Sequence, residues 1–415
     1  MTIAGIIAEY NPFHMGHCYH IQKTRELTGA DFIIVVMSGD LVQRGGPAFL
    51  TKQIRTQMAL LGGADLVLEL PSVHACESAE FFSHSGVSLL NSLGCIDYIS
   101  FGSECGNLSL IQSLGDFLAN EPEDFRTSLQ TTLKAGLSYP AARQRALMDT
   151  WGKQQISGSA GEKEISALLS SPNNILGIEY CKALSKLQSS IRPVTISRKG
   201  SGYHESHLSA SLSSASAIRS HWISSQTPDD FLCLKENFPD AVWKFLQSCS
   251  DREHFLIEDD FSMLFRYLLY TGTLESFTSF QDVSEDLARR LLKNRDQFSS
   301  ISQYALLLRS KDITYSRLCR AIFHIILKIR QVPPVSYARL LGFRKSAAPV
   351  LREFKKKGQI PMITKPADAP SLLTPDALNA FEQSITISHI CESVRSDKYH
   401  TQFTNEYTRQ LVILP

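Results

Sequence analysis

Three histidines recur at three-residue spacing near the start of the chain, His14, His17 and His20, in the stretch AEYNPFHMGHCYH, with Gly16 among them. Imidazoles grouped in this way can serve a metal ion, a phosphate or a core. A zinc site wants three or four ligands at tetrahedral reach, and helix neighbours four apart share a face. Spacing of three and six drifts around a helix, Pro12 and Gly16 interrupt one, and no second ligand cluster follows, so no metal ligated by protein side chains is expected. His20 alone reads as a satisfied core or surface histidine. His14 and His17 bracket a glycine between an apolar run and a helical pattern, where α/β proteins hold phosphate. A helix N-terminus offers free N–H donors and partial positive charge. Gly16 lets a nucleotide approach the main chain. Two imidazoles can donate to phosphate oxygens and stabilise charge that develops at phosphorus during nucleotidyl transfer.

The elements that must position this stretch are legible nearby. TIAGIIA (2–8), DFIIVVM (31–37), DLVLELP (65–71), IDYISFG (96–102) and RPVTISR (192–198) read as strands. Helical patterns at 16–27, 50–64, 79–94 and 173–187 alternate with them. Near-continuous apolar strands separated by helices imply a Rossmann-like parallel α/β sheet covered on both faces. Ligands bind such sheets beyond the carboxyl ends of the strands. Residues from about 105 to 168 turn helical and more polar, which predicts a helical insertion. SLSSASAIRSHW (211–222) is a serine-rich turn leading into a helix, and SSQTPDD (224–230) reads as a linker. The expected organisation is a nucleotide-binding domain over 1–225 and a mostly helical C-terminal domain over 231–415, helical to about 345 and mixed beyond about 358.

Composition sets the outer bounds. The chain has 415 residues, 43% hydrophobic and 20% charged, with a formal net charge of +1, so any nucleic-acid surface must be local. Nine cysteines are scattered without a CxxC pair, which predicts free thiols in a reducing cytosol and a cytoplasmic protein. No stretch approaches the roughly 18 apolar residues a spanning helix needs, and no basic segment precedes the first apolar run, so neither membrane segment nor secretion signal is expected.

His14-Met15-Gly16-His17 resembles the HxGH signature of the nucleotidyltransferases related to class I aminoacyl-tRNA synthetases. SSASAIR, Ser213 to Arg219, resembles their ISSTxIR motif, with Ser213 in place of isoleucine and Ser216 in place of threonine. By itself SSASAIR reads as a serine N-cap followed by a surface arginine. Paired with HxGH, it makes Ser216 and Arg219 second-tier phosphate contacts. The motifs EYNPFHMGHCYH, VVMSGDLVQRGGPA, ADLVLELP, FGSE, SYPAAR, SPNNILGIEY and SASAIR occur in that order, and YSRLCRAIFHIIL and RLLGFRKSA follow. As a set they resemble the tRNA(Met) cytidine acetate ligase family over most of the chain.

The resemblance implies an HxGH nucleotidyltransferase domain with a helical insertion and a helical C-terminal domain. It implies an ATP-dependent ligase that activates acetate as acetyl-adenylate and acetylates N4 of the wobble cytidine of elongator tRNA(Met), giving N4-acetylcytidine. ATP is then a substrate, accompanied by Mg2+. His14 and His17 become the catalytic pair. The ATP-binding residues carry over onto Ile7, Ala8, Glu9, Tyr10, Asn11, Pro12, Phe13, His14, Met15, Gly16, His17, Cys18, Tyr19 and His20, then onto Gly102, Asn173, Arg198 and Lys199. Asn174 is the less favoured member of its pair, and either asparagine could equally cap a helix. Arg198 ends a strand, from where a guanidinium can clamp phosphate bidentately.

Other cations are ambiguous. Lys52 and Arg55 share a helix face and read as solvated, or as contacts for pyrophosphate or RNA; Asp40 either orients a substrate or caps a turn. Arg339, Arg344, Lys345, Arg352, Lys355, Lys356 and Lys357 form a basic tract with Glu353 as its only acid. Of these, Arg344, Lys345, Lys355 and Lys356 are candidate RNA contacts, and a solvated helix face explains the tract equally well. Tyr139 and Arg143 could stack on and pair with RNA, or simply belong to a helix start with Pro140. Two rival readings stand beside the ligase: a nucleotidyltransferase acting on a small metabolite, and a non-catalytic RNA-binding module with a vestigial pocket.

Overall fold

The apolar runs become neighbouring strands of one sheet. A computed structural model of the chain describes residues 1–137, 139–151, 162–198, 213–225 and 227–415. In chain order the first strands are β1 (Ile3–Ala8), β2 (Phe32–Ser38), the short hairpin β3 (Leu41–Val42) and β4 (Gly46–Pro47), β5 (Leu66–Leu70), β6 (Tyr98–Ser103) and β7 (Arg192–Ser197). Five of them lie side by side as β5-β2-β1-β6-β7, every neighbouring pair parallel. The chain builds one half of this sheet outward from β1 and the other outward from β6. The strand order therefore reverses between β1 and β6, and their carboxyl ends form the crevice where such sheets bind ligands.

Successive side chains point to opposite faces. Ala4, Ile6, Val35 and Val67 face α1 (Met15–Thr28) and α2 (Lys52–Leu61). Ile3, Ile7, Val36 and Leu68 share a core with α4 (Ala79–Ser92), which follows the short α3 (Ser72–Ala75), and with the insertion. The described residues of the insertion form four helices, α5 (Leu108–Asn120), α6 (Glu123–Lys134), α7 (Tyr139–Trp151) and α8 (Glu162–Ser170). Its Leu114, Phe117, Trp151 and Leu168 extend the core over that face. The chain returns through α9 (Pro172–Lys186) to β7, and α10 (Ala215–Ser224) follows.

The sheet does not stop at the expected domain boundary. β8 (Ala338–Arg344) runs antiparallel to β5, and β9 (Met362–Ile363) and β10 (Val412–Leu414) pair parallel with β8. The sequence pattern predicts no strands here, only a mostly helical C-terminal domain with a mixed tail. These strands cover the β5 edge, whose N–H and C=O groups an open sheet would leave unpaired. Between residues 231 and 337 the chain is helical, and with the 25-residue helix Pro375–Tyr399 it forms a further core around Phe261, Phe265, Tyr304 and Phe323. Leu41 and Val73 from the first half join that core. No helix among the described residues is long and apolar enough to cross a membrane. All nine cysteines are free thiols.

The fold also overturns the solvated reading of α2. Lys52 is fully buried, its ammonium 3.0 Å from Asp40, 2.9 Å from Glu69 and 2.9 Å from Glu406. Ser388, from the 25-residue helix, accepts a further hydrogen bond from Lys52 at 2.8 Å. Burial pulls the Lys52 ammonium down, but the three carboxylates outweigh it and hold the group above its ordinary value. Asp40 is thereby an ion-pair partner. Arg55, equally buried, donates to the carbonyls of Glu9, Ser38, Gly39 and Leu50 and so ties the ends of β1 and β2 together. Two arginines of the basic tract are likewise occupied. Arg339 is buried between Glu69 and Glu406 at 3.0 and 2.6 Å, and Arg344 donates to the Leu60 carbonyl at the end of α2. Both are strand residues whose side chains the sheet draws inward. Arg143 pairs with Glu179 at 2.6 Å, whereas Tyr139 is exposed.

Candidate active site

The β1–α1 connection folds back on itself. His14 is the N-cap of α1: the Gly16 N–H donates to its Nδ1 at 3.0 Å, and the His14 N–H donates to Nδ1 of His17 at 3.2 Å. This is a capping box made of imidazoles rather than serine and glutamate. It has a chemical consequence. Each Nδ1 spends its lone pair on a backbone donor, so each neutral ring carries its proton on Nε2. The two rings lie 3.9 Å apart and border one cavity. Burial, then the charge of Arg198, pushes His14 down to about 3. Burial, then His14 and Arg198, holds His17 well below the usual histidine range. Both are therefore neutral donors at physiological pH. Gly16 is required by close approach: a Cβ there would lie 2.8 Å from Cε1 of His14.

The cavity, of about 640 Å³, opens at the crevice between β1 and β6. Of the residues carried over from the first strand and helix, Ile7, Ala8, Glu9, Tyr10, Asn11, His14, Gly16, His17, Tyr19 and His20 line it. Pro12, Phe13, Met15 and Cys18 do not; Phe13 is core, edge-on to Tyr10. His20 lines the wall with Nε2 3.0 Å from Ser100 Oγ. Gly102 forms part of the β6 wall, and Arg198 lies beside it. Lys199 is outside the described residues.

The asparagine pair divides its work. Asn174 is buried and accepts from the N–H groups of Glu104 and Cys105 at 2.9 and 3.2 Å. Asn173 lines the cavity, donates to Glu104 at 2.6 Å and accepts from Arg198 at 3.4 Å. SSASAIR arrives from the far side. Ser214 caps α10 by accepting from the Ala217 N–H, and Ser216 and Arg219 face the cavity. Arg219 donates to the Asn11 carbonyl at 2.7 Å and so braces the histidine loop from 208 residues away.

Sequence reading missed part of the wall. Arg44, on the tip of the β3–β4 hairpin, borders the cavity. That tip is pinned: Gly45 has φ +84°, and a Cβ there would lie 2.2 Å from the Arg320 backbone nitrogen. The signal was present as an arginine followed by two glycines after a strand. Leu256, Ile257, Glu258, Tyr315 and Ser316 from the C-terminal half also line it, and no local pattern announces them. Lys345, Lys355 and Lys356 are exposed but lie elsewhere. The Gln359 N–H donates to the Ser92 carbonyl, which places the end of their helix at the amino ends of the strands, about 20 Å of sheet from the cavity.

The family model described as HIGH Nucleotidyl Transferase matches residues 1–406. A tRNA(Met) cytidine acetate ligase from Clostridium novyi is 40% identical over 374 residues, 88% of this chain and 90% of that protein. One from Clostridium perfringens is 39% identical over 398 residues, 93% and 94% of the two chains. The crystal structure of Thermotoga maritima TmcAL in its apo form superposes with a TM-score of 0.92 at 26% identity, over 100% of both chains. The same protein bound with alpha-thio ATP superposes at 0.90.

Proposed function

The chain belongs to the HIGH nucleotidyl transferase family, among the tRNA(Met) cytidine acetate ligases, and from this premise we propose how its cavity performs that activity. The protein is an ATP-dependent ligase that acetylates the wobble cytidine of tRNA(Met). Acetate attacks the α-phosphorus of ATP, pyrophosphate leaves, and acetyl-adenylate remains. The cytidine N4 amine then attacks the acetyl carbon and AMP leaves. No covalent protein nucleophile is needed, because positioning and electrostatics can supply the barrier lowering.

One observation carries this assignment of roles: two neutral imidazoles, both with Nε2 protonated, stand at a helix N-terminus in the crevice of a parallel sheet. Their N–H groups stabilise charge on the α-phosphoryl oxygens, and the positive end of the α1 dipole favours the same charge. Gly16 leaves room for the phosphate. Arg198 and Arg219 hold the triphosphate from opposite walls, and Ser216 adds a hydroxyl. Asn173 and Gly102 contact the nucleoside, with Asn174 reserved for holding the loop after β6. Magnesium arriving with ATP would need one or two protein carboxylates. Glu9, which lines the cavity beside Arg44 and Arg219, would offer one, and the ion would neutralise phosphate charge. The test is mass spectrometry of tRNA(Met) after incubation with ATP and acetate. A mass gain at the wobble cytidine supports the reading, and unmodified tRNA under conditions that sustain pyrophosphate exchange with another acid would sink it.

A further inference from the structure

Building on the ligase reading, we infer that Glu258, held by Tyr315 at the wall of the cavity that the histidine pair borders, takes the proton from the cytidine amine in the second step. As nitrogen attacks the acetyl carbon, an N–C bond forms and the C–O bond to the adenylate phosphate breaks. AMP departs with that electron pair, and one N4 proton must leave. It passes to the Glu258 carboxylate.

The cavity itself narrows the choice of acceptor. His14 and His17 cannot accept, since each Nδ1 is occupied by a backbone N–H and each Nε2 already carries hydrogen. His20 has Nε2 against Ser100. Glu9 accepts from the Gln43 N–H at 2.9 Å and lies in the field of Arg44 and Arg219, where an anionic phosphate belongs. Glu258 shares the field of Arg219 but not that of Arg44, and it meets a side-chain hydroxyl rather than a backbone N–H. It comes from the C-terminal half and lines the same cavity as the histidine pair. Tyr315 donates to its Oε1 at 3.0 Å, which fixes the carboxylate, and Oε2 has no hydrogen-bond partner among the described residues.

Glu258→Gln keeps the side-chain shape and an oxygen for the Tyr315 hydroxyl. Two half-reactions are read separately: acetate-dependent exchange of labelled pyrophosphate into ATP without tRNA, and single-turnover acetylation of a tRNA(Met) transcript followed by mass. The variant is expected to sustain exchange while acetylation slows about 10²-fold or more. Undiminished acetylation overturns the inference. Equal loss of exchange and acetylation overturns it as well, since the carboxylate would then serve the ATP step. A wild-type enzyme that sustains exchange but never acetylates this tRNA would sink the ligase reading and the inference together.

Discussion

On α2, Lys52 and Arg55 lie three residues apart; at the end of the helix Ala348–Lys357 stand Lys355, Lys356 and Lys357. In the sequence both groups look like solvated helix faces. In the fold, the first pair is fully buried and the second group fully open. The difference lies in partners that no local window contains. Lys52 meets carboxylates from the ends of β2 and β5 and from residue 406, and a hydroxyl from residue 388. Arg55 finds four carbonyls at the turn where β1 and β2 deliver the chain to the cavity. Buried charge here ties the last part of the chain to the sheet that holds the histidine loop. The lysine run has solvent on its outer face and a single ion pair, Lys357 with Glu353 at 3.0 Å. Between these extremes are His14, buried, and His17, half-buried, both held neutral.

The largest effect expected of this contrast is on α2. Lys52→Met leaves Asp40 buried without its cation and Glu69 and Glu406 with Arg339 alone, and a loss of about 3–5 kcal/mol should appear in chemical denaturation. A loss near zero would mean that the network is hydrated and that Lys52 is no more deeply committed than the surface lysines. Next comes the histidine loop. His17→Ala removes one Nε2–H donor, and acetate-dependent pyrophosphate exchange should fall about 10²–10³-fold with tRNA affinity kept. Wild-type exchange would take His17 out of the reaction. Gly16→Ala, which drives a methyl against the His14 ring, should lower exchange in the same assay by turning that donor away.

Acidification separates neutral burial from paired burial. The histidines at 14 and 17 have folded values depressed below their unfolded ones, so their unfolded forms bind more protons as pH falls. Their contribution to stability is complete above about pH 6.5 and declines from there towards His14's folded value of about 3. Melting temperature should therefore drop between pH 7.5 and 5.5 and fall less in a His14→Gln variant. The smallest effect belongs to the open tract. Replacing Lys355 and Lys356 by alanine should leave stability within about 0.5 kcal/mol, and the tRNA KM for acetylation should change little, because these lysines lie at the far end of the sheet. A several-fold rise in KM that steepens with salt would show the tRNA body reaching around the domain to them.

Much of the site could be read in the linear chain because its parts are local. Five apolar runs became parallel strands within a residue or two of their expected ends, since a buried strand writes its environment into consecutive residues. The histidine loop was legible for the same reason: strand, turn, glycine and helix start adjoin one another. Residues such as Asn173 and Asn174 were not separable, because adjacent helix positions point in different directions and only the neighbouring Glu104 loop decides which is buried. RLLGFRKSA was read for its charges, yet its strand character depended on an open β5 edge far earlier in the chain.

The sequence alone determined the parallel sheet, the inserted helices, the family likeness and the histidine loop at the end of the first strand. All of these follow from hydrophobic period and from residues in contact along the chain. Tertiary structure alone decided which cations are buried, that β8 and β10 complete the sheet, and that Arg44, Glu258 and Tyr315 wall the cavity. Those outcomes depend on pairings across tens to hundreds of residues, where the free energy of burying a charge or an edge is set by a partner that neighbouring positions do not specify.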